Sequence, residues 1–234
     1  MSTAITDLLF CEETKITTMA AGSGMTGAPL RAGVVSTSSS AMARTAEFRA
    51  GRYGCLPACA DALFELTAAV LSAPTITSLP YLSPEPVFRR SRGSLYDALT
   101  HGRIDAGRVR ELLIARGPRH WPLTFALDAS THPRPYAETN PGREWHHLSG
   151  PGVDGGVPRW AWQHLVQLNL DHDSWVAPMD VLRVPTGGPA QTPAAVEQIR
   201  AMTARLRAVG RREHKLFVHD AGYDLAVLAY ELHG

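Results

Sequence analysis

The hydrophobic pattern of the chain changes its period once, near Pro118, and this change limits the fold more than any other feature. Before it, apolar residues recur at steps of three and four, which is the spacing of an amphipathic helix. After it, short apolar runs alternate with turn-forming residues, as strands do. With 234 residues the chain can bury a sizeable core. We therefore predict a small helical region followed by an α/β domain.

We expect the helical region to cover residues 44–117. The stretch from Phe48 to Ser72 has an apolar stripe that predicts an amphipathic helix. Four prolines between residues 74 and 86 then predict an extended connector, because proline breaks a helix. Shorter helices are predicted over 94–99 and 104–115. Residues 1–43 are rich in glycine and serine with little apolar periodicity, so we predict a disordered arm there.

Residues 118–234 follow the order strand, strand, strand, helix, strand, helix. The predicted strands are 123–128, 160–170, 175–184 and 216–220, and the predicted helices are 193–209 and 224–232. This order is the first part of a ribonuclease-H-like layout. In that layout three antiparallel strands form a meander, and a crossover helix leads to a fourth strand parallel to the first. The predicted fold class is therefore α/β, with an incomplete ribonuclease-H-like domain.

Two aspartates follow strands that this layout makes neighbours. Asp128 ends the first strand, and Asp220 ends the fourth. Parallel strands would bring both carboxylates to one edge of the sheet, where ligands of open α/β sheets bind. Close anions repel each other unless a cation lies between them, and Mg²⁺ or Mn²⁺ prefers carboxylate oxygens. The pair predicts a metal site suited to phosphodiester chemistry; an aspartate that merely caps a turn or helix is the alternative.

Several segments of the chain carry a resemblance to a known family. They are Leu127 to Ser130, Arg134-Pro135, Trp160 to Leu170 and His219 to Asp224. Together they resemble bacterial DDE transposases of the insertion-sequence kind, near the IS4 and IS701 groups, over most of the chain. The resemblance implies that Asp128 and Asp220 are the first two acids of a catalytic triad that holds Mg²⁺ or Mn²⁺. It also implies double-stranded DNA as the partner, both at element ends and at the target, and a homodimer in the intact family.

The sequence departs from this family after the second acid. The family places its third acid on a later helix, beyond another strand. Here only Asp224 and Glu231 follow Asp220, and both fall on the next predicted helix. We therefore expect a truncated copy with strongly impaired strand transfer. Two alternatives stay open: a non-catalytic DNA-binding or regulatory fragment, and an actin-like-fold sugar kinase, although the glycine-rich nucleotide site that a kinase needs is not found.

Eight arginines fall within residues 89–119, against only three acidic residues. A basic helical surface binds phosphates with an affinity that falls as salt rises. A solvated helix face explains the same composition equally well, so only the resemblance favours DNA contact. The candidate DNA-binding residues are Arg89, Arg90, Arg92, Arg103, Arg108 and Arg110, followed along the chain by Arg116 and Arg119.

Composition constrains the environment of the protein. Charged residues make up 19% and hydrophobic residues 44% of the chain, which excludes a mainly disordered protein. The sequence has no run of eighteen apolar residues, so we expect no membrane span. Three cysteines are too few for a disulfide framework. We accordingly expect a cytoplasmic protein, and the resemblance to DNA transposases implies that it is associated with the nucleoid.

Overall fold

Two units make up the chain, Met1–Leu112 and Leu113–Gly234. The computed structural model describes residues 34–76, 78–133, 136, 142–147, 156–171, 175–186 and 190–233. Each unit has a hydrophobic core of its own. None of the helices in these ranges is both long enough and apolar enough to cross a bilayer.

Helices form the first unit. They are α1 (Val34–Tyr53), α2 (Ala60–Ser72), a short 3₁₀ helix (Leu79–Leu82), α3 (Arg92–His101) and α4 (Ala106–Arg116). The core joins Leu63 and Leu66 of α2 to Leu95 and Leu99 of α3. A spacing of three or four residues places each pair on one face of its helix, which is why these two helices pack together.

The apolar stripe from Phe48 to Ser72 is divided between two helices, which corrects the prediction of a helix there. The backbone of Cys59 has φ 52°, a left-handed conformation that ends regular helix geometry. Pro57 lies just before it and also cannot sit inside a helix. In addition, α1 begins at Val34, within the predicted arm, because no glycine or proline interrupts its first two turns. The rest of that arm, residues 1–33, lies outside the described residues.

A mixed sheet is the centre of the second unit. Its strands are β1 (Thr124–Pro133), β2 (Glu144–His147), β3 (Gly156–Leu168), β4 (Val176–Arg183) and β5 (Leu216–His219). β3 pairs antiparallel with both β1 and β4, and β5 pairs parallel with β1. The predicted meander and its parallel fourth strand are confirmed as β1, β3, β4 and β5. The sequence did not predict β2, because its four residues show no apolar alternation.

Two helices, α5 (Gln191–Ala208) and α6 (Leu225–Leu232), follow the meander and complete the core. Val196 and Ile199 of α5 belong to the same buried cluster as Phe125 and Leu127 of β1. The helix ends at Ala208, one residue before the predicted end, and Gly210 just beyond it has a φ of 85° that a residue with a side chain rarely adopts. A mixed α/β unit of this kind is compatible with a ribonuclease-H-like domain.

β5 lies at an edge of the sheet, since β1 is its partner among the described strands. Leu216 and Val218 alternate along β5 and point to one face of the sheet. Their exposed fractions are 59% and 46%, which is high for apolar strand residues. The edge strand therefore presents apolar side chains to solvent.

Replacing Leu165 tests the core of the second unit. Leu165 lies in the middle of β3 and is fully buried, so Leu165→Ala should lower the free energy of unfolding by about 2–5 kcal/mol. Leu170→Ala, just beyond the same strand and 62% exposed, should change it by less than about 0.5 kcal/mol. Urea unfolding followed by tryptophan fluorescence measures both; equal effects would contradict the placement of Leu165 in the core.

Candidate functional site

The pairing of β1 with β5 determines where the two predicted site residues lie. The parallel pairs run from Thr124 opposite Leu216 to Leu127 opposite His219. The next residue is Asp128 on one side and Asp220 on the other. Asp128 lies within β1, which continues to Pro133 beyond the predicted strand end, whereas Asp220 is the first residue after β5. Neighbouring strands are about 4.8 Å apart, so the two aspartates lie at adjacent positions of neighbouring strands. Both are exposed, and a ligand at this edge can reach them.

Each carboxylate is held by a backbone hydrogen bond close to it in sequence. Asp128 Oδ1 accepts a hydrogen bond from the Ala129 N–H at 2.8 Å. Asp220 Oδ1 accepts one from the Gly222 N–H at 3.0 Å. A Cβ atom at Gly222 would lie 3.1 Å from that same oxygen, so glycine lets the turn close tightly around the carboxylate. The turn after β5 is therefore shaped around Asp220.

The negative charges of Asp128 and Asp220 both affect the pKa of the Tyr223 phenol. Its side chain is buried, and burial is the largest influence, raising the pKa of the phenol. A hydrogen bond with Gln191 lowers that pKa, while the negative charges of Asp128 and Asp220 raise it further. Coulomb interactions weaken with distance, so the effect of both carboxylates on one phenol agrees with their position at a common edge.

A buried polar network connects the Asp220 turn to the sheet beneath it. The Tyr223 hydroxyl lies 3.2 Å from the side-chain amide of Gln163 in β3. That amide lies 2.6 Å from the amide of Gln198 in α5, which also donates to Asp180 Oδ2 at 3.2 Å. Both glutamines are buried. The sequence analysis missed them because glutamine is usually a surface residue; the inward position of Gln163 in an alternating strand was the available signal.

His164 lies directly opposite Asp128 in the pairing of β1 with β3. Its Nε2 atom is buried and finds no hydrogen-bond partner among the described residues. Burial lowers the pKa of His164 most, the nearby His132 lowers it further, and the charge of Asp128 opposes both. His164 itself lies within β3.

The donor set at this edge suits a hard cation. Mg²⁺ is usually bound by one or two carboxylates, with water and substrate phosphates completing its shell. Within the described ranges, no three His, Cys, Asp or Glu side chains come together as a metal-binding cluster. Asp224 accepts hydrogen bonds from two N–H groups at the start of α6, and Glu231 pairs with Arg200 at 3.0 Å. Neither acid that follows Asp220 is therefore available as a third ligand in this conformation.

The six candidate DNA-binding arginines all lie in the first unit, and several of them have protein partners. Arg90 pairs with Asp61 at 3.0 Å, and Arg108 pairs with Asp105 at 3.7 Å. Arg103 donates to the preceding backbone carbonyl at 2.7 Å. Nearby carboxylates reduce the positive charge that a side chain offers to phosphate. Arg89 and Arg92 are exposed on the same unit, and DNA contact by the six remains a prediction.

The lowered pKa of His164 predicts that the free energy of unfolding depends on pH. In the unfolded chain a histidine binds its proton near pH 6.5, whereas folded His164 resists protonation until lower pH. Its contribution to the free energy of unfolding is therefore complete above pH 6.5 and is lost as the pH falls towards its folded pKa. In urea unfolding at a series of pH values, His164→Gln should lose less stability than the wild type on acidification. Parallel pH profiles would contradict the prediction.

The chain was compared with known proteins. No curated protein and no solved structure gave a significant match. A protein-family model described as DDE superfamily endonuclease matches residues 53–234, a range that contains both aspartates and all five described strands. Because the match covers most of the sequence, the chain belongs to the DDE superfamily endonuclease family.

Proposed function

We propose that this chain acts on double-stranded DNA as a DDE-type transposase, with Asp128 and Asp220 as two of its metal-binding carboxylates. The observation that carries the proposal is the β1–β5 pairing, which stops one residue before each aspartate. Membership in an endonuclease family supports DNA as the substrate and favours this reading over a sugar kinase. The placement near the IS4 and IS701 groups belongs to the same proposal and rests on the motifs around the two aspartates.

The chain's own residues would position the reacting groups. When bound, Mg²⁺ or Mn²⁺ supplies positive charge that activates an attacking oxygen and stabilises a leaving oxygen at a phosphodiester. Asp128 is held in β1 by its pairing with His164 of β3, and β5 pairs with the four residues just before it. Asp220 is held by its turn with Gly222, which Tyr223 anchors to Gln163. This rigid support matters because metal chemistry is sensitive to small displacements of the ligands.

We further propose that the described part of the chain supplies two acids of the triad and that strand transfer by these residues alone is strongly impaired. Asp224 and Glu231 already serve as a helix cap and an ion-pair partner in α6. Moving either to the metal would break those contacts. The same observation favours a second candidate function, a DNA-binding or regulatory protein that does not cut DNA.

Metal binding by the full chain tests the shared site. The expected result is that Asp128→Asn and Asp220→Asn each weaken Mn²⁺ binding at least about tenfold, or about 1.4 kcal/mol, because each removes a negative ligand. Asp171→Asn is the matched control, since Asp171 is also exposed after a strand, at the end of β3. Electron paramagnetic resonance of free Mn²⁺ gives the affinities; unchanged binding in both site variants would refute the proposal.

Cutting of a labelled duplex in Mg²⁺ or Mn²⁺ then separates the two candidate functions. Slow nicking that disappears in Asp128→Asn supports a catalytic role. DNA binding with no nicking in either metal, together with intact Mn²⁺ binding, supports the regulatory alternative.

A further inference from the structure

Two guanidinium groups of α1 lie against one aromatic ring of α2. The Cζ atom of Arg49 is 4.9 Å from the centre of the Phe64 ring, and that of Arg52 is 4.4 Å from it. The two arginines are three residues apart, so they are neighbours on one face of α1. Arginine stacks on aromatic faces through its planar cation. The ring therefore brings two positive charges together at one place in the first unit.

The backbone around this pair is fixed by close packing. Arg52 Nη2 donates to the carbonyl of Phe64 at 3.4 Å, which ties α1 to α2. A Cβ atom at Gly51 would lie 2.6 Å from Cδ1 of Leu112, so glycine allows that side chain to approach α1 closely. Cys55 Sγ donates to the Gly51 carbonyl at 3.3 Å. The backbone that carries the two arginines is therefore already ordered before a ligand binds, which reduces the entropy cost of binding.

The acidic residues beside Phe64 do not neutralise the pair. Asp61 accepts a hydrogen bond from a tyrosine hydroxyl at 2.7 Å and pairs with Arg90 at 3.0 Å. Glu65 pairs with the same Arg90 at 3.5 Å. Among the described residues, no ion pair joins Arg49 or Arg52 to a carboxylate. Within the described part of the chain, the arrangement therefore carries two positive charges with no carboxylate paired to them.

The pKa of Arg52 is consistent with a positive charge that has no carboxylate partner nearby. Burial lowers the pKa of its guanidinium, and the positive charge of Arg49 lowers it further. The Arg52 Nε atom is buried and has no hydrogen-bond partner among the described residues. An anion close to the two guanidinium groups would reduce their mutual repulsion and accept hydrogen bonds from them.

We propose that Arg49 and Arg52, stacked on Phe64, bind a backbone phosphate of double-stranded DNA. Guanidinium groups match the geometry of phosphate oxygens and bind them through paired hydrogen bonds. This site lies outside the arginine stretch that the sequence singled out. It rests on the proposed function only for the choice of DNA as the source of the phosphate.

DNA binding at several salt concentrations tests this site separately from the metal site. Every protein in the comparison carries Asp128→Asn and is measured in EDTA, by fluorescence anisotropy of a labelled duplex between about 50 and 200 mM salt. Adding Arg49→Gln should weaken binding and reduce the slope of log K against log salt by about one, the loss of one phosphate contact. Arg52→Gln should act in the same direction.

Arg44→Gln is the matched control, since Arg44 lies on the same helix, hydrogen-bonds to Ser40 and stacks on no aromatic ring among the described residues. It should leave the slope unchanged. Arg52→Gln also removes the bond to Phe64, so thermal unfolding followed by circular dichroism accompanies each variant. Among the described residues, the side chain of Arg49 contacts only the Phe64 ring, which makes Arg49→Gln the decisive variant.

Two results would overturn the inference. The first is a wild-type salt slope in Arg49→Gln, and the second is an equal change in Arg44→Gln. If no variant binds DNA at low salt, the inference also fails, whereas the Mn²⁺ test of Asp128 and Asp220 still stands by itself.

Discussion

The parallel pairing of β1 with β5 is the contact on which the candidate site depends. Asp128 and Asp220 are 92 positions apart in the sequence, and nothing local brings them together. Four backbone pairs between two short strands do so, with the crossover helix α5 between them in the chain. Any change that shifted this register by one residue would turn one carboxylate to the opposite face of the sheet. Backbone hydrogen bonding thus determines the chemistry available at the edge.

Much of the second unit could be predicted because its signals are local. Apolar runs marked β1, β3, β4 and β5, and the stripe of α5 ended at a glycine, so the order of elements identified the layout. The polar support of the site could not be predicted in this way. Gln163 and Gln198 come into contact only when β3 and α5 pack together. No pattern in the sequence predicts that contact. The break at Cys59 was likewise missed, since an apolar stripe continues through it.

The arginines show why a count of charges along the sequence differs from a charged surface. Arg90 belongs to the basic stretch 89–119, yet it pairs with two acids of α2 that lie 25 and 29 positions earlier in the sequence. Arg49 and Arg52 lie outside that stretch and carry their charge without a carboxylate partner among the described residues. Tertiary neighbours decide which cations are available to a polyanion.

The exposed edge of β5 has a consequence for how the protein behaves in concentrated solution. An unpaired strand edge offers N–H and C=O groups to any extended polypeptide, and apolar side chains such as Leu216 and Val218 strengthen that attraction. Molecules meeting at this edge can join into larger assemblies by strand addition. The two residues are therefore natural positions for lysine when a monodisperse preparation is needed, since a charge at a strand edge discourages such association.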